Sequence, residues 1–141
     1  MIVVMDTILN IEIMHIIQLL IAIFIAICLL QSGADKIIDF QGNKEYFLEH
    51  FANSPLHKFD SLLLVSLTIL ELSGGLLAII GIMQFILSGT TDILRYAFVL
   101  QACVFICLFA GQRLAKDYTG AAILVNYFLL TILALLTYVI G

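Results

Sequence analysis

The chain has 141 residues, 63% of them hydrophobic and 11% charged, with a net charge of −4 and a single proline. A soluble domain carries about 25% charged residues, and a chain this short has too much surface for six Lys/Arg and ten Asp/Glu to wet it. These numbers exclude a water-soluble enzyme, and the acidic balance excludes a nucleic-acid binder, which needs a basic stripe to replace phosphate counterions. What remains is an integral membrane protein.

Four apolar runs follow one another. Each supplies the stretch of about 20 residues that a helix needs to cross about 30 Å of hydrocarbon. The first covers residues 8–30 and is interrupted by Asn10, Glu12, His15 and Gln18. It has no Lys or Arg before it and no small-x-small cleavage site, so it reads as a mature helix and not as a secretory signal. The second covers residues 61–87, with Glu71 near its middle. The third covers residues 93–111, and the fourth, residues 121–140, has no formal charge. None alternates in polarity as the strands of a membrane barrel would. The expected fold is all-α, one domain over residues 1–141: an integral membrane four-helix bundle.

The connection between the first two runs, residues 31–60, is long. Phe40, Phe47, Leu48 and Phe51 recur there at helical spacing before Asn53-Ser54-Pro55 breaks the pattern. This predicts an amphipathic helix that either lies at the membrane interface or covers one end of the bundle. The other two connections are short and make antiparallel neighbours of helices two and three, and of three and four. Lys36, Lys44, Lys58, Arg113 and Lys116 fall on the side of the long loop, against Arg95 on the other. The positive-inside rule then places that side in the cytoplasm and both termini outside.

Polar groups inside the spans carry the functional signal, because a charge at the bilayer centre costs about 2.5–3.5 kcal/mol on insertion scales. Glu71 lies about 16 Å of helix beyond Asp60, near the midplane. Gln18 and Gln101 fall at a similar depth and Asn126 slightly shallower, so the four could gather into one cluster, either as interhelical glue or as a ligand or proton site. No cation lies at that depth, so any ion pair would need a group nearer the membrane face. Gly74, Gly75 and Gly81 follow Glu71 and permit either close helix packing or room for a flat ligand.

Gln31, Asp35 and Lys36 close helix one, and Gln112, Arg113, Lys116 and Asp117 close helix three. Both groups belong at one membrane face, where they suit salt bridges between the two loops, a polar gate or an anionic head group. His15 and Glu12 are within a turn of each other on helix one and suit a hydrogen bond. His50, His57 and Asp60 lack metal-ligand spacing. Cys28, Cys103 and Cys107 form neither a Cys-x-x-Cys pair nor a disulfide framework, and are expected to be buried and inert.

The motifs resemble those of the DoxX family of small four-helix bacterial membrane proteins. Gly33-Ala34-Asp35-Lys36-Ile37-Ile38-Asp39-Phe40 is similar to that family's Gly-x-x-Lys-x-x-Asp-Phe turn. Glu71-Leu72-Ser73-Gly74-Gly75 is similar to its Glu-x-x-Gly-Gly segment, and the stretch from Gly111 through Arg113 to Ala122 resembles a form found in Bacteroidetes-type relatives. The similarity spans about residues 12–136. Many relatives carry an Arg early in helix one, where this chain has Glu12 and His15, so no role of that Arg carries over. The family positions that do carry over are Lys36, Asp39, Glu71, Gly74, Gly75 and Arg113.

The resemblance implies a multi-pass protein of the bacterial cytoplasmic (inner) membrane, acting as a subunit associated with a redox, quinone-linked complex. Quinone reduction takes up protons, which a buried carboxyl can relay. No motif for haem, flavin or an iron–sulfur cluster is present. Electrons would therefore come from a partner, and the chain is not expected to be a complete enzyme alone. The expected ligand is a quinone or a lipid, held without a covalent bond; the expected partners are the bilayer and a membrane complex or further copies of the chain. The alternative is a non-catalytic structural or assembly subunit, or a membrane-protein chaperone. A transporter stands third, because inverted repeats are not evident. A cavity reaching Glu71 separates the ligand reading from the structural one.

Overall fold

In the computed structural model, which describes residues 2–140 and the side chains from Ile13 to Ile140, the first helix outlasts its apolar run. α1 (Ile2–Ile38) continues two turns past Leu30, so Gln31, Asp35 and Lys36 ride on the helix and do not follow it. Gly33 sits in this extension although glycine costs a helix about 1 kcal/mol. The reason is tertiary: a Cβ there would stand 2.7 Å from the Leu72 side chain. Close packing against the helix that carries Leu72 accompanies the extension.

α2 (Phe40–His50) follows after one residue. Asp39 starts it by accepting a hydrogen bond from the Gly42 N–H at 3.2 Å, the N-cap arrangement that satisfies one orphan donor of a first turn. Phe47 and Phe51 turn inward and pack with Leu64, Leu56, Leu63 and Leu67. Phe40 and Leu48, expected on the same apolar face, are exposed. α2 thus docks on the bundle end through two aromatic rings. Loss of an N-cap costs about 0.5–2 kcal/mol. Asp39→Ala should therefore speed amide hydrogen exchange across α2 while leaving the three helices that follow protected.

α3 (Asp60–Ser88), α4 (Asp92–Leu114) and α5 (Tyr118–Ile140) complete the chain. α3 ends on Gly89 in the left-handed conformation, φ 73°, which spares the turn a Cβ clash. Asp117 opens α5 by accepting from the Gly120 N–H at 2.9 Å. Contacts run in opposite chain directions at every seam. Leu30 meets Gly75 and Leu72 meets Gly33; Leu94 meets Gly81 and Gln101 meets Gly74. Phe105 stacks on Tyr127, and Tyr138 donates to the Thr91 carbonyl at 2.7 Å. α1 also meets α5, closing an up-down-up-down ring in the order α1, α3, α4, α5. The antiparallel neighbours expected from the short loops are present.

The interior is layered. Ala22, Leu94, Phe98 and Ala134 fill one level; Ile25, Leu29, Val104 and Phe105 fill another. Ala26, Ala78 and Ala97 pack closely alongside. The outside is no less apolar: Leu87 is 82% exposed and Val139 80%. A helix apolar all round belongs in hydrocarbon. Four stretches, Ile13–Ile38, Asp60–Ser88, Asp92–Leu114 and Tyr118–Ile140, are long and apolar enough to cross a membrane.

Cys103 and Cys107 lie on this exposed outer surface and Cys28 is half-buried, which corrects the expectation of buried thiols. Residues 103 and 107 fall out of phase with the inward positions 94, 97, 98, 101 and 105 of α4. Among the described residues no group of His, Cys, Asp and Glu could hold a metal ion.

Candidate functional site

Side chains on a helix lean toward its N-terminus. Lys36, in the last turn of α1, therefore leans down into the bundle. Glu71, eleven residues into the antiparallel α3, leans up toward the same end. They meet: Lys36 Nζ stands 3.2 Å from both Glu71 Oε1 and Glu71 Oε2. The Lys36 amine also donates to Ser32 Oγ at 2.8 Å. Glu71 is 1% exposed and the Lys36 side chain 12%. The cation comes from nearer the membrane face, where an ion partner for Glu71 has to be sought. Lys36 lies beyond the apolar run, which stops at Leu30; the helix continues past it to Ile38, and the four-carbon stem carries the charge inward.

The other midplane candidates make separate arrangements. Gln101 is fully buried and donates to the Gly74 carbonyl at 3.1 Å, tying α4 to α3. Gln18 donates to Thr137 Oγ1 at 2.7 Å, tying α1 to α5 farther down the bundle. The amide oxygens of both glutamines have no partner among the described residues. Asn126 is exposed on the outside of α5, out of phase with the inward residues Ala121, Thr131 and Ala134. Glu71, Gln18, Gln101 and Asn126 thus form no single cluster. The side chain of Glu12 lies outside the described residues; His15 packs edge-on against Phe85 at 5.2 Å.

Gly75 and Gly81 serve packing. A Cβ on Gly75 would meet Leu30 Cγ at 2.6 Å, and one on Gly81 would meet the Leu94 backbone N at 2.9 Å. Neither leaves room for a flat ligand. Gly74 is less confined, its nearest neighbour being a Leu29 methyl at 3.1 Å.

Open space lies instead above the ion pair. A cavity of about 270 Å³ occupies the end of the bundle beneath α2. Lys36, Glu71 and Ser32 form its floor, and Asn43, His50 and Gln112 supply further polar groups. His50 bonds Gln112 Oε1 through Nε2 at 2.5 Å, and that nitrogen is 3.7 Å from Asp117 Oδ2. Tyr46 stacks on the imidazole at 5.1 Å. The tie between the first and third loops therefore exists, but it runs through His50, not through Lys36 or Arg113. Arg113 lies over the Tyr118 ring at 4.5 Å. Asp39 is the α2 cap and Asp35 receives the Asn43 amide at 3.4 Å. Ser32 and Tyr46 escaped the sequence reading. Ser32 stands one turn before Lys36, a spacing that brings i and i+4 side chains together.

Chemically, the site is a paired charge set in apolar walls, with amide and imidazole groups at its mouth. The cavity is slightly smaller than the about 300–1,000 Å³ of ordinary ligand sites. It suits a small head group, not a whole lipid.

Fold and site together define a class: a multi-pass, four-helix membrane protein with a buried ion pair under a capping helix at one end. No family model, curated protein or solved structure matches the chain.

Proposed function

We propose that this is a DoxX-like membrane subunit that holds a lipophilic ligand of the quinone class at the Lys36–Glu71 pair, in association with a redox complex of the bacterial inner membrane. The observation that carries this reading is the cavity reaching that pair. A buried ion pair contributes little to stability compared with apolar residues of similar volume, so a pair facing open space calls for another use. The motif positions Lys36 and Glu71, which the resemblance singles out, supply its two partners. The side bearing Lys36, Lys44, Lys58, Arg113 and Lys116 faces the cytoplasm in this proposal, with α2 at the interface.

The second reading, a structural or assembly subunit, draws on different contacts. Gln18 to Thr137 and Gln101 to Gly74 are buried interhelical hydrogen bonds. Such bonds act as membrane glue, about 0.6 kcal/mol each on average.

Purification in mild detergent followed by mass spectrometry of bound small molecules and proteins separates the two. Wild type should retain a quinone, and Glu71→Gln should lose most of it. A protein partner without quinone in both preparations would sink the ligand reading and leave the structural one.

A further inference from the structure

An apolar branch adjoins the cavity above the ion pair. A second space of about 190 Å³ runs from Ser32 and Glu71 between α1 and α5, past Cys28, Leu29, Phe105 and Tyr127. Ser32, Glu71, Leu108 and Leu124 line both spaces, so the two adjoin. Their chemistry differs. Lys36, Asn43, His50 and Gln112 belong to the first space alone. Apart from Ser32 and Glu71, which it shares with the first, the second is bounded by thiol, aliphatic and aromatic groups. Cys28, Leu124 and Tyr127 are partly exposed, so the branch reaches the outer surface, within the stretch of α1 that can span the membrane. Tyr127 forms its wall, stacked on Phe105 at 5.7 Å and beside Phe24 at 6.4 Å.

We infer that the branch is the slot for an apolar tail, and that the ligand is a neutral-headed amphiphile that reaches its site sideways from the bilayer between α1 and α5. This rests on the ligand reading above and adds the ligand's shape and route. The head is neutral because the charges at the floor neutralise each other. Lys36 Nζ is held by both Glu71 oxygens and by Ser32 Oγ, and an ionic head would have to break that pair. The Asn43 N–H groups are taken by Asp35 and Asp39, and His50 Nε2 by Gln112 Oε1; this leaves Gln112 Nε2 to donate to a carbonyl oxygen and His50 Nδ1 to accept from a hydroxyl.

The test compares menaquinone, which carries an isoprenoid tail, with menadione, the same ring without one, on the full chain in nanodiscs. Cys28→Trp fills the slot without touching the polar end. It should lower the ratio of menaquinone to menadione affinity about tenfold, a difference of about 1.4 kcal/mol. Cys107→Trp, on the outer face of α4, should leave the ratio as in wild type. A second measurement needs no bulky change. With Cys103 and Cys107 replaced by Ser, saturating menaquinone should slow alkylation of Cys28 by a membrane-soluble maleimide, and menadione should not. An unchanged affinity ratio in Cys28→Trp together with unprotected Cys28 would overturn the slot while leaving the site at Glu71 standing. Failure of wild type to bind either ring would overturn the site itself, and the slot with it.

Discussion

Lys36→Met should destabilise the bundle by about 3–5 kcal/mol, because it leaves Glu71, 1% exposed, without its cation. Glu71 has no other cation within salt-bridge distance among the described residues. Glu71→Gln should cost less, since Lys36 keeps its bond to Ser32 Oγ and borders the cavity. The double variant Lys36→Met/Glu71→Leu should regain most of the loss, as apolar replacements of whole buried pairs do. Unfolding titrations in mixed detergent micelles would measure all three. A double variant no more stable than Lys36→Met would show that the pair's charges do not govern the local energetics. The series also separates stability from binding: the double variant should fold well and still bind no quinone.

Gly81→Ala should be the most damaging of the single-methyl additions, at about 1–3 kcal/mol. Its new Cβ would stand 2.9 Å from the Leu94 backbone N and 2.7 Å from a Leu94 methyl. Leu94 is fully buried, so neither the backbone nor the side chain has free space to move into. Gly81→Val should be worse. Gly111→Ala makes the contrast, because its nearest neighbour is the Phe51 ring at 3.8 Å. There the gain in helix propensity, up to about 1 kcal/mol over glycine, should leave stability unchanged or improved. The same unfolding titration ranks them, and equal losses at Gly81 and Gly111 would refute the close approach of α3 and α4.

How legible the site was depended on the kind of property asked for. Glu71 stood out because a carboxyl in the middle of an apolar span is costly whatever surrounds it. Gln101 and Gln18 stood out for the same reason, and both are buried. Which groups they touch was not legible. Depth counted along a helix gives height but not azimuth, and Asn126 has the right height on the wrong side of α5. The Lys36 pairing was hidden for a related reason. Hydropathy marks where apolar residues stop, whereas α1 continues past that point, with Leu72 packed against Gly33. The ligand-sized space could not be seen at all, since it lies between α2 and four other helices.

Composition and the lengths of the apolar runs alone dictated an all-helical chain with four stretches able to span a membrane, because in hydrocarbon the backbone must satisfy its own hydrogen bonds. Loop lengths dictated the antiparallel order, because short connections leave a helix no other neighbour. Tertiary structure decided the rest. It set the extra turns of α1, the descent of Lys36 to Glu71, the His50 bridge to Gln112 and the cavity they enclose. Each of these depends on where helix surfaces meet, and close-packed contact is a property of pairs of surfaces that no single run of residues contains.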